Sequence, residues 1–92
     1  MAEAPIRRRV VVHGRVQGVF FRDTVRRLAE SRGVAGWARN TAEGTVETVL
    51  EGPADAVSEL VAFCEQGPAR AAVERIEVAE EPPEGLRGFS TA

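Results

Sequence analysis

Val34-Ala-Gly-Trp-Ala-Arg-Asn40, Thr41-Ala-Glu-Gly44 and Thr45-Val46-Glu47-Thr48-Val49-Leu50-Glu51 read together as a β-hairpin. The second arm nearly alternates. Val46, Thr48 and Leu50 fall on one face, and Glu47 and Glu51 fall on the other. A strand buried on both sides would be a continuous apolar run, so this pattern predicts a sheet with one packed face and one wet face. Gly44 closes the link, where a positive φ is expected.

Helices are predicted on both flanks of the hairpin. Downstream, Gly52-Pro53 opens one with proline in its first turn. Val57, Leu60, Val61 and Cys64 share its face, and Gly67-Pro68 ends it. Upstream, Phe21–Arg32 places Phe21, Val25, Leu28 and Ala29 on one face, and Gly33 stops it. Beyond the helices lie two further strands, Arg7–His13 with β-branched Val10, Val11 and Val12, and Val73–Val78 with Ile76 and Val78 facing in. Glu80-Glu81-Pro82-Pro83-Glu84-Gly85 is expected to form a stiff acidic loop, and Leu86–Thr91 a short edge strand. The order strand, helix, strand, strand, helix, strand points to an α+β split βαβ sandwich. Such a sandwich is an antiparallel sheet with both helices on one face. Residues 1–92 are expected to form a single domain without internal repeats.

Composition narrows the chemistry. The chain has 92 residues, 43% hydrophobic and 28% charged, as in an ordinary globular protein rather than a disordered or membrane-spanning one. All twelve basic residues are arginine. Without lysine there is no Walker-A loop and no Schiff base. His13 is the only histidine, so a nucleophilic triad must use it or not exist. A structural zinc site wants about four Cys or His ligands, and the chain offers only His13 and Cys64. An enzyme built from these residues is expected to need no metal, no cofactor, no covalent nucleophile and no histidine base. A lone cysteine and the absence of an apolar leader after Met1 agree with a cytoplasmic location. Residues 1–46 carry nine arginines against four acids, and residues 47–92 three against ten. The halves are expected to pair with each other, and a basic half also suits a small anion or a nucleic acid.

Two segments are candidates for chemistry. His13-Gly14-Arg15-Val16-Gln17-Gly18-Val19-Phe20-Phe21-Arg22 links a strand to a helix through a glycine-bounded loop. Such a loop can turn several N–H groups toward one point, and the helix adds its positive N-terminal end. No Ser, Thr, Asp or Asn lies in Gly14–Arg22 to cap those donors. Arg22 would add a guanidinium fork suited to phosphate oxygens. The plainer alternative is a strand-to-helix turn with a surface arginine. Asn40 ends the hairpin's first strand, either as a turn residue bonding its own backbone or as a polar group placed for chemistry. Trp37 is expected as core or sheet cover. The remaining polar residues have structural readings: His13 structural or solvent-exposed, Cys64 an inert core thiol, Asp23 a helix cap rather than a group that tunes Arg22, and Arg7-Arg8-Arg9 a solvated strand start.

Gly14-Arg-Val-Gln-Gly-Val-Phe-Phe-Arg22, Gly33-x-x-Gly-Trp-x-x-Asn40, Glu43-Gly-Thr-Val-Glu47 and Glu51-Gly52 together closely resemble the acylphosphatase family. The similarity runs from about Val10 to Gly52 and more loosely to Val78. It implies a small ferredoxin-like α/β sandwich that hydrolyses the carboxyl–phosphate bond of acyl phosphates. The resemblance assigns phosphate binding to Arg22 and to the loop Arg15, Val16, Gln17, Gly18, Val19 and Phe20. It assigns orientation of the attacking water to Asn40. Arg22 and Asn40 would be the catalytic residues, with inorganic phosphate as product and competitive inhibitor. The sequence departs from the family pattern at Ala38, where a larger β-branched residue is usual. It departs again at Gly88-Phe89-Ser90-Thr91-Ala92, which lacks an aromatic ending.

Two other classes fit the same topology. RNA readers of this fold display aromatics on the open sheet face. The strands Arg7–His13 and Val73–Val78 carry none, which argues against nucleic acid. A catalytically idle phosphate-binding module is the second alternative. Charged wet faces favour a monomer without membrane contact.

Overall fold

The computed structural model describes residues 4–91. Ala92, part of the expected C-terminal departure, lies outside them. The elements are β1 (Ile6–Arg15), α1 (Phe21–Ser31), β2 (Ala35–Asn40), β3 (Val46–Gly52), α2 (Ala54–Gln66), β4 (Ala72–Glu81) and β5 (Phe89–Thr91). The predicted order is present, and most boundaries move by a few residues. Pro53 caps α2 from just outside rather than sitting in its first turn. Gly33, with φ 69°, follows the end of α1. There the Val34 N–H reaches back to the Ala29 carbonyl, a bond that a left-handed residue past a helix end permits.

The sheet order is β4-β1-β3-β2-β5. β1 pairs antiparallel with β3 and β4, and β2 pairs antiparallel with β3, so the four long strands match the expectation. The short edge strand does not. β5 runs parallel to β2, with Gly36 opposite Phe89 and Ala38 opposite Thr91, which makes the sheet mixed. β4 ends at Glu81, level with Arg7, Glu51 and the Ala35 start of β2, so after the 82–88 connection β5 begins at that same end and runs parallel to β2.

Both helices cover one face. Phe21, Val25 and Ala29 of α1 and Ala56, Val57, Leu60 and Cys64 of α2 join Val10, Val12, Ala38, Val46 and Leu50 of the sheet in one buried cluster. The Phe21 and Phe63 rings meet between the helices at 6.0 Å and a 54° tilt. Such pairs add about 0.5–1.5 kcal/mol beyond their burial. Val78 departs from the reading: it is 47% exposed, because β4 is the edge strand and α2 reaches only part of it.

The opposite face is the other correction. It is charged, but wet only in part: Arg39, Arg75 and Glu77 are exposed, whereas its Arg7–Glu51 end is covered. Arg7 is 5% exposed and Glu51 is 4% exposed, so neither is solvated. Glu51 accepts the backbone N–H groups of Glu84, Gly85 and Leu86 at 2.9, 2.7 and 2.9 Å, and an Arg7 guanidinium N–H at 3.3 Å. Arg7 and Arg9 both reach Glu81, and Arg9 and Arg39 both reach Glu47. The Arg9 and Arg39 guanidinium carbons lie 5.5 and 5.7 Å from the Trp37 ring centroid. Trp37 is therefore sheet cover. Val49, directly opposite both Arg9 and Trp37, is fully buried beneath this layer. The basic N-terminal half and the acidic C-terminal half are joined largely through these pairs.

Candidate active site

β1 does not stop at His13. It continues through Gly14 and Arg15 by a register shift against β4. Gly14 makes this possible. With φ 125°, a Cβ there would lie 2.2 Å from the Ala72 carbonyl oxygen, so only glycine allows β4 to approach. The loop proper begins after Arg15, which is exposed and paired with Ala72. Val16 and Val19 drop into the core and anchor it from below.

Gln17 fixes the loop sideways. Its amide NH2 donates to the carbonyls of Thr41 and Thr45, both at 2.9 Å. The β2–β3 turn is itself closed by the Thr41 N–H to the Thr45 carbonyl and by the contact between the two threonine hydroxyls. The segment carrying Arg22 is thereby tied to the segment carrying Asn40.

Gly18 and Phe20 adopt left-handed backbone, with φ 73° and 63°. Left-handed residues among ordinary ones turn nearby N–H groups toward a common side. The first N–H groups of α1 lack partners within the helix, and no side chain caps them. Asp23 does not act as the expected cap. It pairs instead with Arg26 at 2.7 Å and Arg27 at 3.0 Å, and the Arg26 hydrogen bond holds its carboxyl below the usual carboxylate range. For a phenylalanine the left-handed conformation costs about 1–2 kcal/mol. The Thr24 N–H and hydroxyl both bond the Phe20 carbonyl, at 3.0 and 2.8 Å, and hold the turn.

These features open on a pocket of about 290 Å³ lined by Val16, Gly18, Phe20, Phe21, Arg22, Asp23, Asn40 and Thr91. It brings together Arg22 from the start of α1, Asn40 from the end of β2 and three members of the loop. Arg15, Gln17 and Val19 lie outside its walls. Thr91 was not identified from the sequence. The parallel pairing that sets it opposite Ala38, two positions before Asn40, is a long-range contact without a local signal. Ala38 is fully buried among the core residues under this edge.

The other reactive side chains lie elsewhere. His13 contacts Glu77 at 2.5 Å, on the β1–β4 side of the sheet. Cys64 is buried, and desolvation pushes its thiol up to about 12, so little thiolate forms. Among the described residues, no three His, Cys, Asp or Glu side chains gather to hold a metal ion, and no helix is long and apolar enough to cross a membrane.

The acylphosphatase family model matches residues 8–91. An acylphosphatase of Rubrobacter xylanophilus is 60% identical over 82 residues, spanning 88% of this chain and 74% of that protein. The solved acylphosphatase of Coxiella burnetii superposes with a TM-score of 0.91 at 36% identity, covering 97% of this chain and 94% of that one. That of Bacillus subtilis gives 0.90 at 39%, covering 95% and 98%. The family model spans all but the ends of the chain and the relatives match it over most of their own length, and on that ground the chain belongs to the acylphosphatase family.

Proposed function

We infer that this chain hydrolyses acyl phosphates to a carboxylate and inorganic phosphate. The observation that carries the reading is one pocket whose walls join Arg22, at the start of a helix that no side chain caps, to the loop and to Asn40 at the end of β2. Family membership supports the reaction class.

The chemistry suits these groups. An acyl phosphate expels a carboxylate, whose conjugate acid has a pKa of about 4–5, so no general acid is needed. Phosphoryl transfer asks the protein mainly for positioning and for charge stabilisation. In our reading the Arg22 fork and the N–H groups of the Arg15–Phe20 loop and first helical turn hold the phosphate oxygens. The Asn40 amide orients a water in line with the scissile bond. The water oxygen bonds to phosphorus as the bond from phosphorus to the carboxyl oxygen breaks. The carboxylate leaves with the electron pair, and the water's proton passes to the phosphate. No phosphoenzyme forms. Inorganic phosphate, the product, competes for the same site. The substrate is a small molecule, and the reading needs neither nucleic acid nor a membrane. We place the protein in the cytoplasm as a monomer, on its lone buried cysteine and its charged surfaces.

The test is phosphate release from benzoyl phosphate by the purified chain, with and without EDTA. The reading predicts turnover at equal rates in both. No release, or release only with an added divalent metal, would overturn it.

A further inference from the structure

Val46, at one end of β3, lies opposite Asn40, and Glu51, at the other end, lies opposite Ala35. Glu51 is thus remote from the pocket, and it is 4% exposed. Its carboxylate accepts three successive backbone N–H groups, of Glu84, Gly85 and Leu86, at 2.9, 2.7 and 2.9 Å. A guanidinium N–H of Arg7 adds a fourth bond at 3.3 Å. Gly85, with φ 81°, is left-handed, which lets neighbouring N–H groups converge on one anion. A Cβ added there would meet no atom within 4 Å, so the glycine answers to conformation and not to space. A buried polar group with its bonds satisfied fixes the place of what it holds. What Glu51 holds is the 82–88 connection, which has no helix or strand of its own.

That connection leads directly to the site. The Gly36 N–H donates to the Gly88 carbonyl at 3.0 Å, and β5 then pairs with β2, Phe89 opposite Gly36 and Thr91 opposite Ala38. Phe89 enters the core, and Thr91 joins Arg22 and Asn40 in the pocket wall. A three-residue edge strand needs tying down. Glu51 applies its grip just before that strand begins. Resting on the reading that this pocket hydrolyses acyl phosphates, we propose that Glu51 is a positioning residue for the reaction. By gripping the 84–86 N–H groups it sets β5, and so keeps Thr91 in the pocket wall and steadies the end of β2 that carries Asn40. Arg22 is held separately, by the packing of Phe21 in the core. The grip therefore bears on turnover more than on phosphate binding.

The experiment measures kcat on benzoyl phosphate, the inhibition constant of inorganic phosphate and amide hydrogen exchange. The proteins are wild type, Glu51→Gln, Gly85→Ala, their double variant and Gly85→Asn, with rates referred to the folded fraction read from urea curves. Glu51→Gln turns an amide NH2 toward the three donors. Gly85→Ala strains the turn and leaves the Glu51–Arg7 pair intact. Both should speed exchange at 84–86 and 89–91 by about 5- to 30-fold, the factor set by a Cβ in the left-handed region, and by more than in β1. Both should lower kcat by about 3- to 10-fold, a mild misplacement of the site, with the phosphate constant unchanged. The double variant should fall no further than the lower single variant, because one grip is lost once. Gly85→Asn, which tolerates the left-handed turn, should keep wild-type kcat. A lowered kcat without faster exchange at 89–91 overturns the proposal, and so does an equal loss in Gly85→Asn. If Glu51→Gln does not fold, Gly85→Ala against Gly85→Asn makes the same comparison. A wild type inactive on benzoyl phosphate overturns the hydrolase reading and this role with it, whereas an active wild type matched by all its variants overturns the role alone.

Discussion

Arg22 is positioned by its place in the chain more than by a designed cap. It follows Phe20 and Phe21, one strained into the left-handed region and exposed, the other buried in the core. Between them they fix where α1 starts, and so where its second residue stands. In our reading that residue must offer two parallel N–H donors to phosphate. A lysine carries the same charge but not the fork. Arg22→Lys is therefore expected to lower kcat/KM by about 10²-fold or more, the scale for losing one preorganised donor. Inorganic phosphate should inhibit wild type competitively and barely affect the variant. Equal inhibition constants in the two would place the phosphate elsewhere. Arg22 and Asn40 were singled out by the family resemblance of two short local segments, since the residues alone left each with a plain structural alternative; the structure brings both to one pocket. Gln17 was legible only as a loop member. Its side chain turns away from the pocket and staples the loop to the β2–β3 turn, a contact that no local spacing reveals.

Among the elements, the charged face of the sheet differs most from its sequence pattern. Alternation correctly sorted Val46, Thr48 and Leu50 from Glu47 and Glu51, but alternation reports a face and not what covers it. The 84–86 backbone folds over Glu51, a connection 33 to 35 residues away in sequence. Burial raises the Glu51 carboxyl, yet the three N–H groups and Arg7 together outweigh it and hold the pKa below the usual range. Burial likewise opposes Arg39 and Arg9 at Glu47, again with a net lowering. Arg9 and then Arg7 lower Glu81. A carboxyl whose folded pKa lies below its unfolded value of about 4.3 stabilises the fold fully above that value. That contribution drains away as pH falls through the folded pKa. The fold should therefore lose stability steadily below about pH 4–5. Glu51→Gln removes one of these charges and is expected to cost about 1.5–3 kcal/mol at pH 7, the range for hydrogen bonds to a charged group. Urea unfolding at pH 7 and at pH 4 checks both points. The variant should show a smaller difference between the two pH values than wild type, and an identical difference would remove Glu51 from the acid limb.

The molecule as a whole assembles its site from three separated segments. The loop and α1 come from one side of the sheet's packed face, the end of β2 supplies Asn40, and β5 returns along β2 to bring Thr91 to the pocket. The element order was readable because each helix carries its own apolar stripe and its own glycine stop. The placement of β5 was not, since three residues of edge strand carry too little pattern to fix a direction. The account's central claim is a division of labour across this assembly: α1 and its loop bind phosphate, while β2 places the water. Asn40→Ala separates the two. The measurement is kcat on benzoyl phosphate beside the competitive inhibition constant of inorganic phosphate, in wild type and variant. The account predicts a kcat lower by about 10²-fold or more, with the phosphate constant unchanged. A variant that keeps wild-type kcat, or that loses phosphate binding, would contradict it.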